Sequence, residues 1–311
     1  MASRQSDDIG EVFDHRQALA SLSGAELARL REPSDAAGLR HLALHLAALG
    51  LTGGLVLASL HTWLVLPAMV AHGIVLSFLF APLHESIHGT AFRSPAINLA
   101  VAEVAGFLLL LPPRWFRYFH LAHHRHTQDP EHDPELATPR PATMAAYLRH
   151  LTGYGYWTAE IRKIIANGLG RSTDGFVPLK GRPKVVREAR IHLLGYALIA
   201  GLSIAMGSTL VLWLWVVPAL LGQPFLRAYL LAEHAGLPFV ADMLTNSRTT
   251  FTSGLVRFLA WNMPFHSAHH ALPTIPFFRL PALTAHLRQS LRSTADGYVD
   301  AHRQIIARLR H

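Results

Sequence analysis

The sequence predicts an all-α integral membrane fold: about four transmembrane helices, with interfacial helices and a histidine-rich cytosolic cap. Three observations predict it. Charged residues make up only 15% of the 311-residue chain, against about 25% in soluble globular domains. The apolar half of the composition is gathered into runs, several close to the roughly 20 residues that span a bilayer. The densest clusters among the 21 histidines stand at the ends of those runs.

The elements follow in chain order. Residues 1–40 form a polar N-terminal segment of mixed charge without the apolar core of a signal peptide, so the first apolar run is expected to stay as an anchor. Within it, residues 14–32 read as one amphipathic helix, with Leu19, Leu22, Leu27 and Leu30 at helical spacing, ended by a break over 33–38. Residues 41–60 and 63–83 are the first two apolar runs, the second ending directly on a histidine motif. The third run, 96–111, is shorter, carries Glu103 near its middle and stops at Pro112-Pro113. It is expected not to cross. The histidine clusters on either side of it must share one centre, and a hydrocarbon core about 30 Å thick would keep them apart. Its helix reaches only about 24 Å, and Glu103 would be costly at mid-bilayer.

The fourth and fifth runs, 191–206 and 209–226, are parted only by Gly207-Ser208 and read as a helical hairpin. Between the third and fourth runs, residues 142–168 mix Tyr147, Tyr154, Tyr156 and Trp157 with Arg149, Arg162 and Lys163. That composition fits a helix lying in the interface, or an ordinary amphipathic core helix. The tail reads as a basic amphipathic helix. The chain thus divides into the N-terminal segment 1–40, a membrane domain 41–280 with the candidate metal site, and the tail 281–311.

The net charge is +8. The basic residues sit mostly at the ends of apolar runs, which favours topology signals and lipid headgroups over nucleic acid. Lys180, Arg182, Lys184, Arg187 and Arg190 precede the fourth run and Arg227 follows the fifth, while the hairpin tip is uncharged. The positive-inside bias puts these flanks, and the histidine clusters beside them, on the cytoplasmic side of a cytoplasmic (inner) membrane. The chain has no cysteine. That excludes a disulfide, a thiolate-ligated haem and a cysteine-held iron–sulfur cluster within it.

Three histidine clusters carry the chemistry: His84-Glu85-Ser86-Ile87-His88, His120-Leu121-Ala122-His123-His124, and His266-Ser267-Ala268-His269-His270. A spacing of four sets His84 and His88 on one helix face. In the other clusters the first and fourth residues share a face, and the fifth lies about 100° further round, where it can reach a second ion. A structural zinc site takes four ligands, fewer than these clusters offer. Imidazole suits zinc, copper, iron and nickel alike. The case for iron is indirect: nitrogen ligands without thiolate, facing the bilayer surface, suit oxygen activation and attack on unreactive C–H bonds.

The order HxxxH, HxxHH, HxxHH between these apolar runs resembles the membrane fatty acid desaturase superfamily. That superfamily also holds alkane hydroxylases, carotenoid ketolases and hydroxylases, and sphingolipid-modifying enzymes. The resemblance covers roughly residues 39–283. It includes Arg114-Trp115-Phe116-Arg117 before the second cluster and Trp261-Asn262-Met263-Pro264-Phe265 before the third. It implies a non-haem centre of two Fe ions, with His84, His88, His120, His123, His124, His266, His269 and His270 as ligands. Glu233-His234-Ala235-Gly236 resembles a Glu-His-x-Gly segment of the alkane hydroxylases and makes His234 the ninth ligand; Asn262, acting through water, is the lesser candidate. Glu85 and Glu233, each beside a ligand, are expected to hold ligand imidazoles by the outer ring nitrogen. The acidic run Asp129, Glu131, Asp133 and Glu135 either does the same or is a solvated loop. His126 and His132 are expected on the solvent side or behind the ligands. Asp242, Asn246, Arg248 and Thr249-Thr250 resemble a family segment and receive no role.

The implied reaction is O2-dependent oxidation of a lipid, first of all desaturation of a fatty acyl chain. A hydroxylase or ketolase of the same superfamily is the alternative, because the outcome turns on small differences in substrate placement. Electrons must come from an external ferredoxin or small cytochrome with its reductase: cysteine clusters, a GxGxxG motif and a fused cytochrome b5 segment are missing from the sequence. The basic face would suit an acidic carrier, or membrane lipid. A metal transporter or sensor is the rival from another class. It would need ionisable residues deep in the spans, which are nearly free of charge.

Overall fold

The computed structural model describes residues 14–310. The N-terminal stretch forms two short helices where one was expected, α1 (His15–Ala20) and α2 (Gly24–Arg31), each with its own capping box. Asp14 with Gln17 and Ser23 with Glu26 satisfy the first free N–H groups reciprocally, so the second box starts a new helix inside the amphipathic pattern. The expected break over 33–38 is also shorter, because Ser34 caps α3 (Asp35–Ser59).

Among the described residues, four segments are long and apolar enough to cross a membrane: Asp35–Ser59, Val65–His88, Arg182–Ala205 and Leu212–His234. The second is made of α4 (Val65–Ser77) and α5 (Phe80–His88), so the first histidine cluster rides on the end of an apolar helix. The third expected run forms α6 (Pro95–Leu108). A 100° bend separates it from α7 (Pro113–His126), which carries the second cluster. Pro112 and Pro113 explain the corner, since neither can donate a helical hydrogen bond. The interfacial stretch is likewise two helices, α8 (Met144–Leu151) and α9 (Tyr154–Gly168). Gly153 divides them at φ +71, where a Cβ would run into Gln223.

The hairpin arms are α10 (Arg182–Ala205) and α11 (Val217–His234), the latter led in by a π-helical turn, Leu212–Val216. Both outrun their apolar cores. The basic residues from Arg182 to Arg190 form the first turns of α10, and α11 runs on past Leu226 to His234. α4 and α11 cross at Gly73 and Gly222, where a Cβ on either residue would overlap the other helix's backbone.

The remainder is short: α12 (Met243–Asn246), α13 (Gly254–Leu259), α14 (His266–Ala271) with the third cluster, α15 (Leu280–Leu287) and α16 (Gly297–Ile306). Two departures from an all-helical reading appear here. Strands β1 (Thr249–Phe251) and β2 (Thr294–Asp296) pair in parallel, Thr250 opposite Ala295. The tail is therefore two helices separated by a strand. Leu280, Leu283 and Leu287 are fully buried in the main core with Trp261 and Phe277, so α15 packs as core. His45 ties this core together. Its Nε2 lies 3.0 Å from the Val75 carbonyl, and its Nδ1 accepts from Trp261 Nε1 at 3.3 Å.

Candidate metal centre

Nine histidines from four helices converge in two adjoining groups. His84 and His88 of α5, His120 and His124 of α7 and His269 of α14 bring one ligand atom each to within 4.8 Å of one another. His123 of α7, His234 of α11 and His270 of α14 do the same beside them, and His266 joins these with its Nε2 2.9 Å from that of His234. The expectation that the first and fourth histidines of a cluster share a face fails here. On α7, as on α14, the first and fifth go together and the fourth turns to the other group, since residues four apart lie only about 40° apart around a helix and residues three apart about 60°. His120 and His124 face the first group together, while His123, rotated by about 100°, faces the second. Asn262 stands apart at a left-handed turn (φ +57), its amide donating to the Phe277 carbonyl.

The hydrogen bonds behind the second group fix where its lone pairs point. Nδ1 of His123 lies 2.9 Å from Asp133 Oδ1, and Nδ1 of His234 lies 3.0 Å from the Asn246 carbonyl. Both partners only accept, so each Nδ1 carries its proton and each Nε2 presents a lone pair. Glu233 sits 3.3 Å from Nδ1 of His266, close enough for its charge to favour the same tautomer though not hydrogen-bonded to it. Thr127 donates its hydroxyl proton to the His123 carbonyl at 2.8 Å and so accepts from Nδ1 of His270 at 3.1 Å. That leaves the buried Nε2 of His270 without a partner. Lone pairs of His123 and His266 then meet that of His234 at 3.2 and 2.9 Å. Such facing lone pairs repel unless a cation lies between them. Imidazole nitrogens about 2.0–2.1 Å from one ion sit about 3 Å from each other, which is the spacing found.

The first group repeats the pattern. Nε2 of His124 lies 2.9 Å from that of His120 and 3.1 Å from that of His269. Nε2 of His88 is buried without a hydrogen bond. Burial first, and then the neighbouring imidazoles, push His120, His124, His266, His269 and His270 well below the ordinary histidine range. These rings are neutral, the state a metal ligand requires. His123 goes the other way: burial opposes its charge, but Glu135 and Asp133 outweigh it and raise its pKa. The same carboxylate bond makes Nε2 of His123 a more basic donor toward a cation. The residues therefore fit a pair of metal ions.

Of the acidic residues singled out in the sequence, Asp133 reaches a ring directly, Glu135 lies 3.8 Å from the same nitrogen, and Asp129 pairs instead with His132 outside the centre. Glu85 is fully buried, 3.6 Å from Nδ1 of His84, and accepts from Phe277 N and Thr90 Oγ1. The sequence reading missed Thr127, Gln128 and Arg140, and gave Asn246 and Arg248 no role. Gln128 and Arg140 both donate to the His234 carbonyl, at 3.0 and 2.8 Å. Arg248, 2% exposed, donates to the carbonyls of Ala232 and Ala235. These groups satisfy the last carbonyls of α11, where a cation is also favoured by the helix dipole. No local signal marks them, because Gln128, Arg140 and Arg248 act on main-chain carbonyls and Asn246 contributes its own.

A cavity of about 1160 Å³ opens onto the centre. His84, His120, His123, His234 and His266 line it together with Phe80, Trp115, Phe116 and Phe119 and the basic Arg149, Arg162, Lys163 and Arg171, with Lys163 Nζ 3.3 Å from the centre of the Trp115 ring. An apolar space meeting clustered imidazoles is suited to an apolar substrate brought against metal ions.

The profile of the fatty acid desaturase family matches residues 36–301. The chain belongs to that family. Among curated relatives, the chloroplastic omega-3 fatty acid desaturase of Glycine max is 26% identical over 251 residues, 73% of this chain and 55% of the relative. The sn-1 oleoyl-lipid 12-desaturase of Picosynechococcus is 26% identical over 252 residues, covering 73% and 70%. The chloroplastic sn-2 acyl-lipid omega-3 desaturase (ferredoxin) of Helianthus annuus is 25% identical over 252 residues, covering 72% and 55%. This family member thus spans little more than half the length of two of these three relatives.

Proposed function

We propose that this desaturase-family protein is a membrane-bound, O2-dependent acyl-lipid desaturase with a non-haem di-iron centre. The observation that carries the reading is the convergence of nine imidazoles beside a cavity that five of them line together with Phe80, Trp115, Phe116 and Phe119. His84, His88, His120, His124 and His269 would hold one ion, and His123, His234, His266 and His270 the other. A bound iron pair supplies activation of O2 and removal of hydrogen from unreactive C–H bonds. The chain's own part is placement. Phe80, Trp115, Phe116 and Phe119 exclude water and confine an acyl chain along the cavity. Asp133, the Asn246 carbonyl and Thr127 hold the rings of His123, His234 and His270 in one tautomer and orientation, and Glu233 lies beside that of His266.

The relatives named for acyl-lipid substrates and for ferredoxin support an acyl-lipid substrate and an external small electron carrier. In this reading residues 41–280 form the membrane-embedded part, with 1–40 and 281–311 on the cytoplasmic side with the metal centre. α6 dips in and returns, because the clusters before and after it meet at one centre across a 100° corner. Single cysteines at Ser94 and Arg114 test this arrangement. Both should react with a membrane-impermeant thiol reagent only when the cytoplasmic face is exposed; labelling from opposite sides would sink it. The reaction itself is tested by lipid mass spectrometry of an expressing host. Loss of two hydrogens from an acyl chain is the expected result. Gain of one oxygen would assign hydroxylation instead, and an unchanged lipid profile under conditions of full iron loading would return the protein to the metal-handling reading.

A further inference from the structure

The turn that follows α7 carries a third cluster, outside the nine-histidine centre. Among the described residues, His126, Asp129 and His132 form one further group whose possible ligand atoms all lie within 4.8 Å of one another. The turn is preformed. Asp129 N–H bonds the His126 carbonyl at 2.7 Å, and Asp133 N–H bonds the Asp129 carbonyl at 2.9 Å. Gln128 at its apex is left-handed (φ +65), and its N–H is held by Asp133 Oδ2 at 2.9 Å.

The two oxygens of Asp129 have separate surroundings. Oδ1 accepts from Glu131 N–H at 3.0 Å. Oδ2 faces both imidazoles, 2.8 Å from Nδ1 of His132 and 4.0 Å from Nδ1 of His126. The two rings lie 5.3 Å apart, tilted by 31°. An ordinary exposed Asp–His pair accounts for the 2.8 Å contact. It does not account for a second ring nitrogen directed at the same oxygen from the end of a helix. The side chains are 35%, 40% and 59% exposed in the order His126, Asp129, His132, so water would complete the coordination of any ion held there.

We propose that His126, Asp129 and His132 form a third, solvent-facing site for a borderline divalent cation such as Zn2+ or Co2+. Two imidazoles and one carboxylate select such ions over Mg2+ and Ca2+, which prefer all-oxygen shells. His132 immediately precedes Asp133, the residue that orients His123. An ion on the turn would brace the segment from which that carboxylate reaches inward. The site is separate from the buried pair and does not depend on which reaction that pair performs.

The test is a Co2+ titration of the purified full-length protein with its iron in place, followed by visible absorption and elemental analysis. The wild type should take up one Co2+ more than Asp129→Ala or His132→Gln does, at unchanged iron content. Each variant should bind that ion at least about tenfold more weakly, since losing a direct ligand should cost no less than losing the group behind one. Both side chains are well exposed, so the fold should survive, and unchanged iron content reports that it has. Excess Mg2+ should leave the bound Co2+ in place. Equal Co2+ uptake by wild type and both variants would overturn the site. Displacement by Mg2+ would overturn the assigned class of cation.

Discussion

The two histidine groups of the centre are built differently. In the first, four of five rings come from two helices, His84 and His88 on α5 and His120 and His124 on α7, each pair one turn apart. Behind them hydrogen bonds are sparse: Nδ1 of His84, His124 and His269 finds no partner among the described residues. In the second group His266 and His270 share α14 while His123 and His234 come from α7 and α11. Asp133, Thr127 and the Asn246 carbonyl hold the rings of His123, His270 and His234 from behind, with Glu233 3.3 Å from Nδ1 of His266. Helix geometry alone orients a pair at spacing four. His123 and His234, delivered singly to the second group from α7 and α11, have no such frame and are oriented by hydrogen bonds. The first group should therefore be sensitive to its ligands and insensitive to its surroundings, and the second sensitive to both.

Ligand removal should have the largest effect and should not distinguish the groups. His88→Ala, His124→Ala and His269→Ala in the first, and His234→Ala in the second, should each lower bound iron and cut desaturation by about 100-fold or more, beyond the cost of losing a supporting residue. If His234→Ala kept wild-type iron content and turnover, the second group would lose its α11 ligand. Changing the supporting residues should then split the groups. Asp133→Asn keeps the shape but weakens the bond to His123, and a loss of about 10–100-fold in activity or metal affinity is expected.

Glu85→Gln is the matched change behind the first group. Glu85 stands 3.6 Å from His84, and its contacts with Phe277 N–H and Thr90 can persist with an amide, so a loss below about tenfold is expected. Activities measured side by side decide the matter; equal losses for the two variants would remove the distinction between helix-framed and bond-framed rings. The smallest effect belongs to His126→Ala. Its ring lies beyond both groups, and desaturase activity should remain close to that of the wild type. An inactive His126→Ala with normal iron content would place that ring in the catalytic centre.

Much of this was legible in the sequence because it is local. The spacing of four in His84–His88 needs only helical periodicity to put both rings on one face, and the apolar runs need only composition, whereas the pairing of His120 with His124 rather than His123 emerged only in the structure. The corner at Pro112-Pro113 was legible too, since two prolines stop a helix wherever they stand. Helix division was less so. α1 and α2, and α8 and α9, each follow one amphipathic pattern, and the breaks turn on Ser23 as a cap and on Gly153 against Gln223.

What the sequence by itself determined is thus the helical, membrane-suited composition, the His84–His88 pair that one helix orients, and the family. What only the tertiary structure decided is the division of nine histidines into five and four, and the fixing of the second group. Asp133 meets His123 across ten residues, Glu233 meets His266 across more than thirty, and Gln128 and Arg140 meet the end of α11 across about a hundred. The parallel pairing of Thr249–Phe251 with Thr294–Asp296, and the burial of Leu280, Leu283 and Leu287, belong to the same class. Such contacts leave no period in the chain. They arise because buried N–H and C=O groups must find partners wherever the packing brings them, and packing is a property of the assembled elements.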